Sequence, residues 1–206
     1  MEGGATKQEL TIVKTPTHVE SCIGKILDRG SIPLASTKLH KRGIKMLNTV
    51  EIRLAAIEDK EKLVNLRIDQ QKADWGAEYE DVDNSFYIRT SDALDEFLVE
   101  KGKVGKKGII YVAVVNNCIV ATCGLQRIIL LPQCNDRGNY GYIFNVYTIP
   151  VYRHKGLQNL LFKEVLAYAK RENISEISLE TDNEIAIQLY KKFGFKFNSL
   201  FMTRSV

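Results

Sequence analysis

The sequence is poor in the residues that most often carry metal and nucleophilic chemistry. Its 206 residues include three histidines, four cysteines, one tryptophan and four prolines. His18 and His40 precede residue 46, so His154 stands alone in the remainder and a histidine-rich metal site is excluded there. Cys22, Cys118, Cys123 and Cys134 form no Cys-x-x-Cys pair, which excludes a zinc ribbon or a thioredoxin-like motif and leaves reduced thiols as the reading. A Ser-His-Asp or Cys-His arrangement would have to use His154, and nothing near it in sequence supports one. No apolar run is long enough to span a bilayer. The opening MEGGATKQELTIVK lacks a signal-peptide core, so the predicted location is cytoplasmic. The glycines and lysines of residues 102–108 lack the Walker spacing and read as a solvated basic turn.

Aromatic residues are absent from the first 45 positions; all 18 lie after Met46. The formal charge of +4 has the same boundary. Eight of the 29 basic residues and four of the 25 acidic ones fall before Met46, leaving 21 of each after it. Two units are therefore predicted: a leader, 1–45, disordered or loosely packed, and a domain, 46–206. In the leader, Gly30-Ser31-Ile32-Pro33 is what GGTTCGATTCC encodes, which resembles the T-arm of a tRNA gene. Thr37-Lys38 falls where a CCA end would. One reading makes the frame begin inside or upstream of a structural RNA gene, with Met46 as the true start. The other is an ordinary N-terminal arm that binds a partner or nucleic acid through its charge. The nucleotide sequence decides between them.

After Met46, strands and helices alternate. Residues 50–55 alternate apolar and polar, as a strand does. Asp59 is the predicted N-cap of a helix with Leu63, Val64 and Leu66 on its apolar stripe. Residues 73–84 read as a loop. Ser91 or Asp92 caps a second helix that turns Leu94, Phe97 and Leu98 inward. Residues 109–115 and 118–129 form a hairpin about Asn116-Asn117. Residues 141–148 form a strand, and residues 157–171 an amphipathic helix with Leu160, Leu161, Val165, Leu166 and Ala169 at helical spacing. A short strand at 177–179 precedes a helix, residues 183–193, with Ile185, Ala186, Leu189 and Tyr190 on its apolar side. Gly194 closes that helix, and residues 195–203 form the last strand. A strand, a helix and a second strand over 141–179 imply one parallel crossover.

The most informative residues are 145–194. A strand ends at Pro150, Arg153-His154-Lys155-Gly156 turns, and a helix begins at once. A helix N-terminus presents unpaired N–H groups and the positive end of its dipole. Gly156 has no Cβ to keep a phosphate from the backbone. Arg153 and Lys155 add charge. This is a pyrophosphate site built without a Walker lysine.

Here the chain resembles the GNAT superfamily of acyl-CoA-dependent N-acetyltransferases, over about residues 50–203. Three pieces carry the resemblance: Ile52-Arg53-Leu54-Ala55 with Glu58-Asp59; the run from Asn145 through Arg153-x-x-Gly156 to Leu157; and Asn183-x-x-Ala186-x-x-Leu189-Tyr190 with Gly194-Phe195. The sequence departs from the family at Gln158, where Gly or Ala is usual.

The resemblance implies an α/β (α+β) fold: a central mixed, mostly antiparallel sheet of six to seven strands with helices on both faces. It implies acetyl-CoA as co-substrate and no metal. Val146, Tyr147 and Thr148 would lie on the splayed strand that receives the pantetheine arm, with an N–H near Val146 polarising the thioester carbonyl. The N–H groups of Arg153, His154, Lys155, Gly156, Leu157 and Gln158 would hold the pyrophosphate. Asn183 would bond the CoA arm. Tyr190 would protonate the departing thiolate, since a phenol with a pKa near 10 stays protonated at neutral pH. The alternative for Tyr190 is a core aromatic.

The expected function is transfer of acetyl to a primary amine of a small molecule or protein by direct attack in a ternary complex, by a monomer or homodimer with no nucleic-acid or membrane partner. Residues 142–145 offer no glutamate as base. Glu78, Glu80, Asp81 and Asp83 are candidates, and Trp75, Tyr79 and Phe86 could line an acceptor pocket. The missing base and Gln158 motivate the competing reading, a non-catalytic acyl-CoA-binding regulatory module. An RNA-binding role would rest on the leader alone.

Overall fold

The computed structural model describes residues 50–75, 84–132, 134 and 138–198. The leader, residues 78–83 with their candidate acids and Tyr79, and the end of the expected last strand lie outside the described residues.

The core is built on one hairpin. Strand β2, Gly108–Val115, is buried at every position, and β3, Cys118–Ile129, over its first eight. Consecutive burial means that both faces of the sheet are covered. The turn between them has Asn116 at φ 51° and Asn117 at φ 62°, the paired left-handed residues of a type I′ turn. β1, Glu51–Leu54, pairs antiparallel with β2, and β4, Asn139–Thr148, antiparallel with β3. The chain then crosses over and lays β5, Glu176–Ser178, parallel to β4. The order is β1-β2-β3-β4-β5, with one parallel pair, so the mixed, mostly antiparallel sheet is as expected. The described residues give five strands rather than six to seven. Residues 195–198 are irregular, so the expected last strand does not begin at Phe195.

Among the described residues four α-helices accompany the sheet: α1, Lys60–Trp75; α2, Asn84–Leu94; α3, Leu157–Arg171; and α4, Glu184–Lys192. α3 is the crossover helix and packs on β2, β3 and β4, while α1 packs on α2. The second helix differs from the reading that started it at Ser91 or Asp92. Those residues lie in its last turn, and residues 95–97 form a turn instead. Leu94 and Leu98 are nevertheless buried, and the Phe97 ring packs tilted against Phe144 of β4 with centroids 4.7 Å apart. Packing against a neighbouring helix outweighs the weak local preference of cap-type residues. The stripe of α3 runs through Leu157, Leu161, Phe162, Val165, Tyr168 and Ala169, leaving Leu160 exposed. Ile185, expected inside α4, is exposed as well.

Asp59 is not a simple N-cap. It ends a 3₁₀ turn, Ile57–Asp59, and its Oδ2 accepts the Ala56 N–H at 2.9 Å. The same carboxylate takes a two-point contact from Arg53, Nη1 to Oδ2 at 2.5 Å and Nη2 to Oδ1 at 3.0 Å. Asp59 is only 4% exposed. Burial pushes its pKa up, but the Arg53 hydrogen bond, the Ala56 N–H and the Arg53 charge together outweigh burial and hold it below the ordinary carboxylate value. A lowered folded-state pKa stabilises the fold above the unfolded value, and that stability is lost as pH falls through the folded one. Replacing Asp59 by Asn should therefore cost about 1–3 kcal/mol at pH 7, discounted because Arg53 is partly solvated. It should also flatten the loss of stability below about pH 4. Urea unfolding of both proteins from pH 3 to 8 measures this, and equal stability at pH 7 would show that the pair contributes nothing.

Candidate active site

The site begins where the sheet comes apart. β4 pairs with β5 only from Tyr140 to Tyr142, opposite Glu176 to Ser178. Beyond Tyr142 the two parallel strands have no further register, so the β4 edge from Ile143 to Thr148 has no partner in β5. On the other side, β4 pairs with β3 through Gly124↔Phe144 and Thr122↔Tyr147. Asn145 and Val146 together face the single residue Cys123, which is a β-bulge. Asn145 sits at φ 52°, a conformation that asparagine tolerates better than most side chains. The Thr122 hydroxyl donates to the Asn145 carbonyl at 2.8 Å and fixes the bulge. Val146 consequently has no register partner on either side. Gly124 belongs to the same device. A Cβ there would lie 2.6 Å from the Phe144 ring, so only glycine lets that ring lie across the strand.

The β4 chain continues through a short 3₁₀ turn, Pro150–Tyr152, into the loop before α3. His154 at φ 60° and Gly156 at φ 77° both adopt left-handed backbone. The Arg153 N–H donates to the Pro150 carbonyl at 3.1 Å, and the Asn159 N–H to that of Gly156 at 3.1 Å. The N–H groups of His154, Lys155, Gly156, Leu157 and Gln158 have no backbone acceptor among the described residues. Five successive donors at a helix N-terminus are an arrangement suited to an anion. Arg153 is therefore removed from the expected set of N–H donors. Its side chain also turns back, with Nε donating to the Thr148 carbonyl at 3.1 Å. Lys155 lies over the Tyr152 ring, Nζ 4.6 Å from its centroid. His154 is exposed, and Tyr152 is packed rather than presented. A Cβ on Gly156 would meet nothing closer than Asn159 Nδ2 at 3.9 Å. Glycine is needed there for its backbone angle and for what approaches the loop, not for packing within the protein.

Tyr190 is carried by α4. Its ring belongs to a cluster with Phe162 at 5.3 Å and Phe195 at 6.0 Å, and it is 7% exposed. Burial, and then the neighbouring Cys123 thiol, push the phenol pKa to about 12. Cys123 is the residue opposite Asn145 and Val146, so the phenol lies within electrostatic reach of the bulge. Core packing and a role at the site are thus compatible: the cluster holds the ring, and the ring sets the hydroxyl. Asn183 caps α4, its Oδ1 accepting from the N–H groups of Ile185 at 3.0 Å and Ala186 at 3.2 Å. That occupies the oxygen and leaves Nδ2 as its remaining donor. Gly194 closes the helix at φ 86°, and the Phe195 N–H returns to the Tyr190 carbonyl at 3.2 Å.

The structure thus brings Val146, Tyr147, Thr148 and Gln158 around Thr122 and Cys123, with residues 154–158 at the end of the same strand and Tyr190 in electrostatic reach of Cys123. Trp75 ends α1 and Phe86 is half-buried in α2. Three features escaped the sequence reading. The bulge leaves only a single Asn as its trace. The inward-turned Gln158 side chain depends on contacts 10 to 36 residues away. Glu180 lies just past β5 and, after burial, contributes to a raised Tyr142 pKa. Among the described residues no group of three His, Cys, Asp or Glu could hold a metal ion, and no helix is long and apolar enough to cross a membrane. Cys118, Cys123 and Cys134 are free thiols.

Comparison with known proteins was made on this basis. The profile of the Acetyltransferase (GNAT) family matches residues 61–195. Among solved structures, the chain is similar to a predicted acetyltransferase with acetyl-CoA from Clostridium acetobutylicum. The identity is 26% and the TM-score 0.62, over 76% of this chain and 96% of that one. A GCN5-related N-acetyltransferase from Ralstonia eutropha JMP134 shares the fold at 19% identity and a TM-score of 0.61, over 76% and 98%. So does a glucosamine-6-phosphate N-acetyltransferase from Arabidopsis thaliana, at 19% and 0.55, also over 76% and 98%. Functionally curated proteins give no match. A profile match over more than half of the length, on a fold shared with a structure that holds acetyl-CoA, establishes that the chain belongs to the GNAT acetyltransferase family.

Proposed function

We propose that this protein transfers an acetyl group from acetyl-CoA to a primary amine of a small molecule or protein, by direct attack in a ternary complex in the cytoplasm. The observation that supports this reading is the row of N–H groups from His154 to Gln158 without a backbone acceptor among the described residues, at the end of the β4 edge that β5 releases. In it, the N–H groups of His154 to Gln158 hold the pyrophosphate, and the β4 edge at Val146, Tyr147 and Thr148 receives the pantetheine arm together with Asn183 Nδ2. An N–H at Val146 stabilises the oxyanion as the amine adds to the thioester carbonyl. The C–N bond forms, the C–S bond breaks, the phenol proton of Tyr190 goes to sulfur, and the proton that the attacking nitrogen sheds passes to water. The phenolate is then reprotonated from solvent. A phenol held near pKa 12 remains an acid across the whole working range. The amine must attack as free base, and an alkylammonium with a pKa of about 10.4 has to shed a proton first.

Two measurements test the reading. Replacing Tyr190 by Phe should lower kcat by about 100-fold or more while leaving acetyl-CoA affinity within about twofold, because only the hydroxyl is removed. Both proteins should share a rate that rises with pH as the acceptor amine deprotonates. Acetyl-CoA binding without thiol release across an amine panel, indifferent to Tyr190→Phe, would support the non-catalytic module instead. Replacing Gly156 by Val should weaken acetyl-CoA binding by about 10-fold or more. The φ of 77° penalises any Cβ by roughly 1–2 kcal/mol, and the side chain projects into the cradle. Calorimetry reads this directly, and unchanged affinity would remove the loop from the binding site.

A further inference from the structure

Gln158 stands where the family usually has Gly or Ala, and its side chain does not project over the phosphate loop. It turns inward to the β3–β4 pair beside the bulge. Nε2 lies 2.9 Å from the Tyr147 carbonyl, 3.2 Å from the Thr122 carbonyl and 3.0 Å from Thr148 Oγ1. Two carbonyl oxygens fix which end of the carboxamide faces them. Turned over, Oε1 would meet two acceptors and be repelled. With Nε2 so held, Oε1 is buried and has no partner in the protein among the described residues. A buried acceptor left unpaired is costly, by about 1–3 kcal/mol, and a native structure usually answers it with a donor. The partners of Nε2 at the other end of the same carboxamide include Tyr147 and Thr148, on the strand edge assigned above to the pantetheine arm. That arm carries secondary amides, each with one N–H donor.

We propose that the Gln158 side chain is a second, side-chain anchor for the acyl-CoA arm: Nε2 clamps the carboxamide to the carbonyls of Thr122 and Tyr147, and Oε1 accepts an amide N–H of the bound pantetheine. This inference rests on the acetyl-CoA reading of the site. It assigns a ligand contact to a residue whose usual counterparts, Gly and Ala, have no polar side chain to make it.

The test separates the arm from the phosphates. Binding of acetyl-CoA and of adenosine 3′,5′-bisphosphate, which lacks the arm, is measured by calorimetry for the wild-type chain, Gln158→Ala and Gln158→Glu. Thermal unfolding of each checks that it is folded. Gln158→Ala should weaken acetyl-CoA by about 10-fold, the worth of one hydrogen bond, and leave the bisphosphate within about twofold. Gln158→Glu should bind acetyl-CoA worse as pH rises from 5 to 8, because the ionised carboxylate is forced against two carbonyls. Equal losses for both ligands would reduce Gln158 to a support of the loop and overturn the proposal, as would unchanged affinity for acetyl-CoA. A wild-type chain that binds neither ligand would instead refute the acetyl-CoA reading itself.

Discussion

Everything at the site depends on one missing set of hydrogen bonds. Two parallel strands that begin as a regular pair stop pairing after Tyr142 and Ser178, and the edge so released is the surface on which the proposed chemistry is laid. An unpaired edge inside a fold is costly unless something else fixes it. Here the opposite side of β4 supplies the fixation. The bulge at Asn145 and Val146 is locked by the Thr122 hydroxyl, and Gln158 ties the next two residues to β3 and α3. The strand is therefore held firmly from one side and left open on the other.

The two helices that close the cleft contribute by different physics. α3 offers main-chain donors at its N-terminus and a dipole that favours anions, with almost no demand on side-chain identity beyond Gly156. α4 offers one side chain, Tyr190, whose position is secured by ring packing against Phe162 and Phe195 and by a closed C-terminus at Gly194. Burial serves both the fold and the proposed reaction. The same desolvation that packs the ring raises the phenol pKa and keeps its proton in place. At the far edge of the sheet, the Arg53–Asp59 pair fixes the entry into α1 and takes no part in the cleft.

Much of this was legible in the sequence because it is local. The Asn116-Asn117 turn, the strand-turn-helix at 145–171 and the Asn183 to Gly194 helix each announce themselves within a dozen residues, and the structure has them. Errors arose where distant packing decides. α2 forms over Asn84–Leu94 despite two cap-type residues in its last turn, and Ile185 and Leu160 keep helical spacing yet face outward. The site followed the same rule. Tyr190, Gly156 and Asn183 could be named from a motif. The loss of the Arg153 N–H to Pro150, the use of Asn183 Oδ1 as a cap and the inward turn of Gln158 are consequences of geometry that no spacing encodes.

The loop of residues 154–158 stores its information in torsion angles. Five main-chain donors are aimed by two left-handed residues, and the side chains of His154 and Lys155 are exposed. Such a cradle is nearly invisible to mutation at most of its positions, since exchanging those side chains leaves the donors where they were. A chain built this way can let its acceptor pocket drift toward new substrates while the acyl-donor half stays intact. Within the cradle itself the heritable constraint condenses to little more than a glycine and the turn that precedes it, and the demand on side chains passes to Gln158 and the strand edge beside it.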